Sequence, residues 1–206
     1  MSTPSWMLVR LALETRLHHK QADSDRLAMM EVATGYAYRA CLARIYGLEA
    51  SVEVALSRIA DIDPSLVRAR VKAGRLRDDL LALGMSSHDI ATLPLATLHV
   101  RTSAQALGWM FVVERLTLLS GLIRRHLSRL LPIEMNIGSR YLTPYGDAPG
   151  AQFRAFGDAV ARYAIDIHPD AIVSAANEAF RAQRLWYSSR ADAAEEAVPA
   201  LARIGA

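Results

Sequence analysis

Helical periodicity runs through almost the whole chain and is the feature that most restricts its fold. Apolar residues recur three and four positions apart over long segments, whereas the alternation typical of a half-buried strand is almost absent. The periodic segments end at residues that commonly stop helices, such as Gly84 and Pro132. The sequence therefore predicts an all-α fold, a multi-helix bundle around a single core.

The pattern predicts seven helical segments and one irregular connection. We expect the short helix after Ser86, and we expect residues 136–149 to be irregular because they are rich in Gly, Pro and Asn. One helical domain should span residues 1–190, followed by a tail or frayed helix over 191–206. The longer helices are predicted at residues 3–22, 34–59, 64–83, 103–131, 150–165 and 171–187.

Composition excludes several classes of protein. Hydrophobic residues make up 52% of the chain and charged residues 22%, which suits a folded core and argues against disorder. The single cysteine, Cys41, cannot form an internal disulfide, and the first residues lack the layout of a signal peptide, so we expect a cytoplasmic protein. Glu114 and Arg115 interrupt the apolar segment 107–123, which predicts a buried helix and no membrane span. A net charge of +3 without any Lys/Arg block disfavours nucleic-acid binding.

His19 is the most informative polar residue of the first predicted helix. Asp23 follows one turn later, where a carboxylate can accept the proton of one ring nitrogen and leave the other free as a ligand. Arg16 and Lys20 flank this position and could bind the carboxylates of an acidic guest. The alternative is a core histidine satisfied by Asp23 and flanked by ordinary surface cations. The inward face is predicted to contain Leu8, Ala12, Thr15, His19 and Ala22.

Two glycines lie inside the long helix predicted at 103–131. Each costs about 1 kcal/mol relative to alanine in a helix, so each indicates a close approach to the backbone. Gly108 is interpreted as a close helix–helix crossing. For Gly121 a ligand plane and a neighbouring helix are both compatible with the sequence.

Two segments resemble haem oxygenases. Leu-Glu-Thr15-Arg-Leu-His-His19-Lys-Gln-Ala-Asp23 is similar to the family pattern Leu-Arg-x-x-Thr-x-x-x-His-x-x-x-Glu/Asp, with Thr15, His19 and Asp23 in register. Ala106-Leu-Gly-Trp-Met-Phe-Val-Val-Glu114 resembles the Ala-Leu-Gly-x-x-Tyr-Val-Leu-Glu of the biliverdin-producing bacterial enzymes that accompany bacteriophytochromes. The order of the remaining helices is also similar, so the resemblance covers nearly the whole chain.

The resemblance implies a haem-oxygenase-like bundle in which haem lies between the first helix and the long 103–131 helix. His19 would be the axial iron ligand, with Asp23 fixing its tautomer. The implied activity is oxidative cleavage of haem, as substrate and cofactor together, to biliverdin, carbon monoxide and ferrous iron. A reductase or ferredoxin-type donor would supply electrons, and a bacteriophytochrome is a candidate partner.

The resemblance also assigns the remaining site residues. It gives the catalytic roles to His19, Thr117 and Ser120. It indicates a haem-binding set made of Arg16, His19, Lys20, Asp23, Phe111, Leu119, Gly121, Arg154 and Phe180.

The long helix departs from the family pattern Glu-Gly-Ser-x-Leu-Gly-Gly. Aligned without a gap, Arg115 replaces the first glycine, and Leu119 and Ser120 replace the glycine pair, so that Leu119 would crowd the iron. A one-residue bulge would instead match Ser120 and Gly121 to the glycine pair. Both registers are open at this stage.

Three hypotheses about function follow. The first is a working haem oxygenase. The second is a non-catalytic haem- or tetrapyrrole-binding protein, or a partner-binding pseudoenzyme, on the same fold. The third is a helical nucleic-acid-binding regulator, which the absence of clustered basic residues disfavours.

Overall fold

The computed structural model describes the backbone of residues 5–201 and the side chains of residues 5–188. This part of the chain is all-helical and contains no strand, as the sequence predicts. Short 3₁₀ helices at Ala28–Glu31 and Arg140–Leu142 supplement the α-helices. These are α1 (Trp6–Glu14), α2 (Arg16–Leu27), α3 (Gly35–Leu56), α4 (Pro64–Arg68), α5 (Ala73–Ala82), α6 (Ser87–Ala91), α7 (Ser103–Thr117), α8 (Ser120–Leu130), α9 (Pro132–Ile137), α10 (Pro149–Asp166) and α11 (Pro169–Leu201).

Local capping sets several helix starts. Thr34 accepts a hydrogen bond from the Ala37 amide at the start of α3, and Ser86 forms a capping box with Asp89 at the start of α6. At the amino end, Ser5 caps α1, while the predicted start at Thr3 lies outside the described residues. Of the predicted tail, residues up to Leu201 continue α11 and residues 202–206 lie outside the described part.

Three segments that were each predicted as one continuous helix contain two helices, so these predictions of continuity are wrong. The first breaks at Thr15, whose hydroxyl donates to the Leu11 carbonyl at 2.7 Å, a contact that bends helices. The helix predicted at 64–83 breaks before α5, where the Glu53 carboxylate of α3 accepts the Lys72 amide and the Ala73 amide, the latter at 2.8 Å. The helix predicted at 103–131 bends by 40° between α7 and α8.

Residues 132–142 are more helical than predicted. Pro132 ends α8 but also begins α9, because proline tolerates the first helical position, where no amide donor is needed. The 3₁₀ helix Arg140–Leu142 follows, and Asp79 of α5 accepts the amides of Arg140 and Tyr141 at 2.9 and 2.8 Å. Part of the segment predicted to be irregular is therefore ordered by a tertiary contact.

The buried apolar residues form two clusters, where the sequence predicted one core. The larger cluster joins α1, α7, α10 and α11 with the carboxyl half of α3. The second joins the amino half of α3 to α5, α8 and α9. The bend between α7 and α8 lets one nearly continuous segment contribute to both clusters.

Gly108 lies at the crossing of α7 and α11. A β-carbon at Gly108 would stand 2.7 Å from the Ala175 carbonyl carbon and 2.7 Å from the Ala176 nitrogen, so only glycine allows this approach. The helix–helix interpretation of Gly108 is confirmed. The α7 helix is consequently held against α11, and its buried residues extend from Ala104 to Thr117.

No single described helix is both long and apolar enough to cross a membrane. The helices α7 and α8 reach that length and hydropathy only when taken together across their bend.

Candidate functional site

Thr15 positions the candidate site by separating α1 from α2. It is fully buried, and it is both the C-cap residue of α1 and the N-cap residue of α2. The break rotates α2 relative to α1, and the inward face predicted from Leu8 to Ala22 is interrupted at Ala12, which is exposed. His19, one turn into α2, is half-buried.

The His19 ring is held by a hydrogen bond and is neutral near pH 7. Its Nε2 lies 2.8 Å from Thr15 Oγ1. Because the Thr15 hydroxyl gives its single proton to the Leu11 carbonyl, we infer that Nε2 carries the ring proton and donates to Thr15. Burial and the Arg115 guanidinium lower the pKa of His19 from 6.5 to about 4, against the opposing effect of Asp23.

Aromatic rings surround both histidines. The ring centroids of His19 and Phe180 are 5.6 Å apart, and those of His19 and Phe111 are 6.5 Å apart. His18 stacks on Phe180 at 5.6 Å with an interplanar angle of 15° and is half-buried. Phe111 and Phe180 thus form an apolar wall beside His19.

Asp23 binds Arg115, and no hydrogen bond joins it to His19 in the described part of the chain. Its two carboxylate oxygens accept from Arg115 Nη1 and Nη2 at 2.5 and 2.8 Å. This bidentate pair connects α2 to α7 one turn beyond His19. The Asp23–His19 hydrogen bond expected from the sequence is therefore replaced, because Arg115 supplies a stronger, charged partner from another helix.

The bend between α7 and α8 differs from both registers considered for the long helix. The amides of Leu118 and Leu119 bond to carbonyls three residues earlier, at 3.1 and 3.2 Å, so the turn is tightened where a bulge would widen it. Helices commonly kink at Gly/Ser pairs, and Ser120 and Gly121 follow at once.

The predicted distal residues contact other protein groups. Thr117 Oγ1 donates to the Val113 carbonyl at 3.0 Å. Buried Ser120 Oγ is 3.4 Å from Arg26 Nη2, and Leu119 packs against the second core cluster. A β-carbon at Gly121 would meet one atom within 4 Å, Arg125 Nη1, so no neighbouring helix requires this glycine.

The three predicted propionate-binding cations are exposed: Arg16, Lys20 and Arg154. Arg16 Nη1 donates to the Leu13 carbonyl at 3.1 Å. None of the three forms a hydrogen bond or ion pair with the residues around His19, within the part of the chain that the structure describes.

Comparison of the chain with protein-family models, with curated proteins and with solved structures finds no match. The resemblance to haem oxygenases therefore rests on the motifs around His19 and Glu114 alone.

The donor chemistry of the site fits haem, but the space beside His19 does not. A neutral imidazole between Phe111 and Phe180 suits an iron-bound, planar, apolar group. The Arg115–Asp23 pair, however, joins the two helices between which such a group would lie. The junction closed by this pair holds α2 against α7 where the group would have to lie.

Sequence reasoning missed a second group of arginines around a cavity of about 700 Å³. The cavity lies between α2, the 3₁₀ helix Ala28–Glu31, α3 and α11. Arg26, Arg39 and Arg44 line it. The signal for Arg26 was present, because Ala22 and Arg26 continue the inward spacing of α2 by four residues.

Proposed function

We propose that this protein is a non-catalytic, haem-oxygenase-like binding protein that takes haem or a related tetrapyrrole through His19. The proposal combines the motif resemblance with three local features. His19 is neutral at physiological pH, two phenylalanines flank its ring, and α2 and α7 meet beside it. Neutral imidazole is the form of histidine that binds iron.

The observation that carries the non-catalytic part of the proposal is the bidentate ion pair between Arg115 and Asp23, which supports a ligand that enters only when the junction opens. Asp23 is 31% and Arg115 17% exposed, so the pair lies at the edge of the helix junction, where breaking it costs little. We propose that a planar ligand enters when this pair opens and α2 moves away from α7. In the motif resemblance, Arg115 also replaces a glycine of the helix that would cover the iron, which favours binding over cleavage.

Oxidative cleavage has less support from the geometry. A cleaving enzyme needs small residues or a positioned hydroxyl over the iron. Here the Thr117 hydroxyl donates to its own helix, and Ser120 contacts Arg26. The helix turn that follows Arg115 is tightened and filled by Leu116 and Leu119.

Haem titration followed by absorption spectroscopy tests the proposal. The wild-type protein should bind weakly, and Arg115→Ala should bind at least about tenfold more tightly, since it removes the ion pair that must open. Arg115→Ala combined with His19→Ala should lose the histidine-ligated spectrum. Arg124→Ala, which removes an exposed arginine of α8, is the matched control and should behave as wild type.

Two results would overturn the proposal. Equal haem spectra with and without His19 would mean that His19 does not bind the iron. Production of biliverdin by the wild-type protein with a chemical or ferredoxin-type reductant would establish a haem oxygenase. Haem that binds with a histidine spectrum and survives the reductant is the expected result.

A further inference from the structure

Two of the arginines that line the 700 Å³ cavity have a buried nitrogen without a hydrogen-bond partner among the described residues. Arg26 is only 6% exposed, and its Nε has no hydrogen-bond partner among the described residues. Arg44 Nε is likewise buried and without a partner in the same part of the chain. Buried donors left without acceptors are rare in folded proteins and costly, so each calls for an explanation in terms of a water, an ion or a ligand.

The known contacts of Arg26 leave its Nε available. Its Nη2 makes a long 3.4 Å hydrogen bond to Ser120 Oγ, and its guanidinium carbon lies 4.9 Å from the centroid of the Tyr141 ring. Glu49 accepts from the Tyr141 hydroxyl at 2.9 Å and, within the described part of the chain, forms no ion pair with Arg26. Among the described residues, Arg26 is therefore a buried cation without a bonded anion.

Arg44 and Arg39 extend the positive side of the cavity. The Arg44 guanidinium lies 5.2 Å from the centroid of the Tyr187 ring, and Arg39 donates to the Leu83 carbonyl at 3.2 Å and lies over Tyr36. The charged lining residues are these three arginines and one carboxylate, Asp25, which accepts from Gln21. The lining therefore has a net charge of +2, counted as three cations minus one anion.

The rest of the lining is mainly aliphatic and includes methionine, which adapts to irregular or flexible guests. The volume falls inside the range of about 300–1,000 Å³ that small-molecule sites occupy. The aliphatic wall is formed by Met29, Ile45, Met85, Leu93 and Leu116.

We infer that this cavity is a binding site for an aliphatic carboxylate of the fatty-acid class, with its carboxylate on Arg26 and Arg44 and its chain against the aliphatic wall. The guanidinium fork matches a carboxylate in geometry, which a free chloride or a neutral alcohol does not. His19 does not line this cavity, so the two sites are distinct. They are adjacent, because Ala22 and Leu116 of the lining are chain neighbours of Asp23 and Arg115.

Cys41 provides a reporter inside the cavity. It is the single cysteine of the chain, lines the cavity and is partly exposed. Burial raises the pKa of its thiol, while Arg26 and Arg44 both act to lower it, so the thiol lies within the field of both guanidinium groups. A ligand seated on the two arginines should shield Cys41 from alkylation.

The experiment compares dodecanoate, dodecanol and acetate as probes, by isothermal titration and by the rate of Cys41 alkylation. Dodecanoate should bind with one-to-one stoichiometry and slow alkylation, and dodecanol should bind at least about tenfold more weakly, as expected for loss of a charge-assisted hydrogen bond. Acetate should not protect Cys41. Arg44→Met should weaken dodecanoate by about tenfold or more and leave dodecanol unchanged, whereas Arg75→Met, an exposed arginine of α5, should change neither.

Three results would overturn the inference. Equal affinities for dodecanoate and dodecanol would mean an apolar cavity without a carboxylate site. Wild-type affinity for dodecanoate in both Arg44→Met and Arg26→Met would show that the two arginines do not recognise the carboxylate. Stoichiometric displacement of dodecanoate by haem would make the cavity part of the tetrapyrrole site. His19→Ala should bind dodecanoate as wild type does, so failure at the His19 site and failure here are distinguishable.

Discussion

Two neighbouring residues of α7 form ion pairs of very different character. Glu114 accepts from Lys72 Nζ at 2.8 Å, and both side chains are 1% exposed. Arg115, the next residue, binds Asp23 at the edge of the α2–α7 junction, where both partners contact water. The residue types and distances are similar, so burial is the main difference between the two pairs.

Because of this difference in burial, breaking the two pairs should have very different effects on stability. Burial lowers the pKa of Lys72, but Glu49, Glu114 and Glu53 outweigh this effect and raise the pKa, so the lysine is charged at neutral pH. A buried pair strongly penalises loss of one partner, because the other charge is left without compensation. The Arg115–Asp23 pair is solvated when it opens, so it can separate without unfolding the protein.

The largest expected effect is that of breaking the buried pair. Lys72→Met should lower the free energy of unfolding by about 3–5 kcal/mol, since it removes the hydrogen-bonded cation of the buried Glu114 carboxylate and leaves Arg70 Nε, 3.9 Å from Oε2, as the remaining positive group. Urea denaturation followed by circular dichroism measures this change. Lys20→Met, at an exposed position of α2, is the control and should stay within about 0.5 kcal/mol of wild type.

A double variant tests whether uncompensated charge causes the loss of stability in Lys72→Met. If uncompensated charge causes the loss, Lys72→Met together with Glu114→Met should be more stable than Lys72→Met alone. A double variant that is less stable than both single variants would instead mean that packing of the lysine chain dominates.

Removal of the Tyr145 hydroxyl should have an intermediate effect. This hydroxyl donates to Glu114 Oε1 at 2.7 Å, so Tyr145→Phe should cost about 1.5–3 kcal/mol, the range for a hydrogen bond to a charged group. The same denaturation experiment applies. Tyr36→Phe is the matched control because Tyr36 is exposed, and a comparable loss in that variant would contradict the prediction.

Breaking the solvated pair should cost least. Asp23→Asn and Arg115→Ala should each lower the free energy of unfolding by about 1 kcal/mol or less. A double-mutant cycle in low and high salt should show a coupling energy that falls as salt screens the charges. A coupling energy as large as that of the buried pair would contradict the prediction that the exposed pair contributes less to stability.

The smallest effect is a change in the titration of His19. Arg115→Gln should raise the pKa of His19 from about 4, since it removes a neighbouring positive charge, whereas Asp23→Asn should lower it further. Histidine NMR signals followed across pH measure both shifts. The unfolded ring binds a proton near pH 6.5 and the folded ring near pH 4, so stability falls as pH drops through that window, less steeply in Arg115→Gln.

The fold class and most helix positions could be predicted, but the partner of each polar residue could not. The spacing placed Asp23 one turn from His19, where a local hydrogen bond is possible. The actual partner, Arg115, is 92 positions away and comes near only after α2 and α7 pack. The roles assigned by resemblance to Thr117, Ser120 and Leu119 stay predictions, since these residues contact the Val113 carbonyl, Arg26 and the second cluster respectively.

By itself, the sequence determined the features that depend on neighbours within a turn or two. These are the helical periodicity and the Ser86 capping box. Only the tertiary structure decided where the 64–83 segment divides and which charges are buried, because those outcomes depend on groups from distant segments. The Glu53 carboxylate that interrupts the 64–83 segment and the cavity lined by Arg26 and Arg44 both arise from such contacts, and no short-range pattern encodes them.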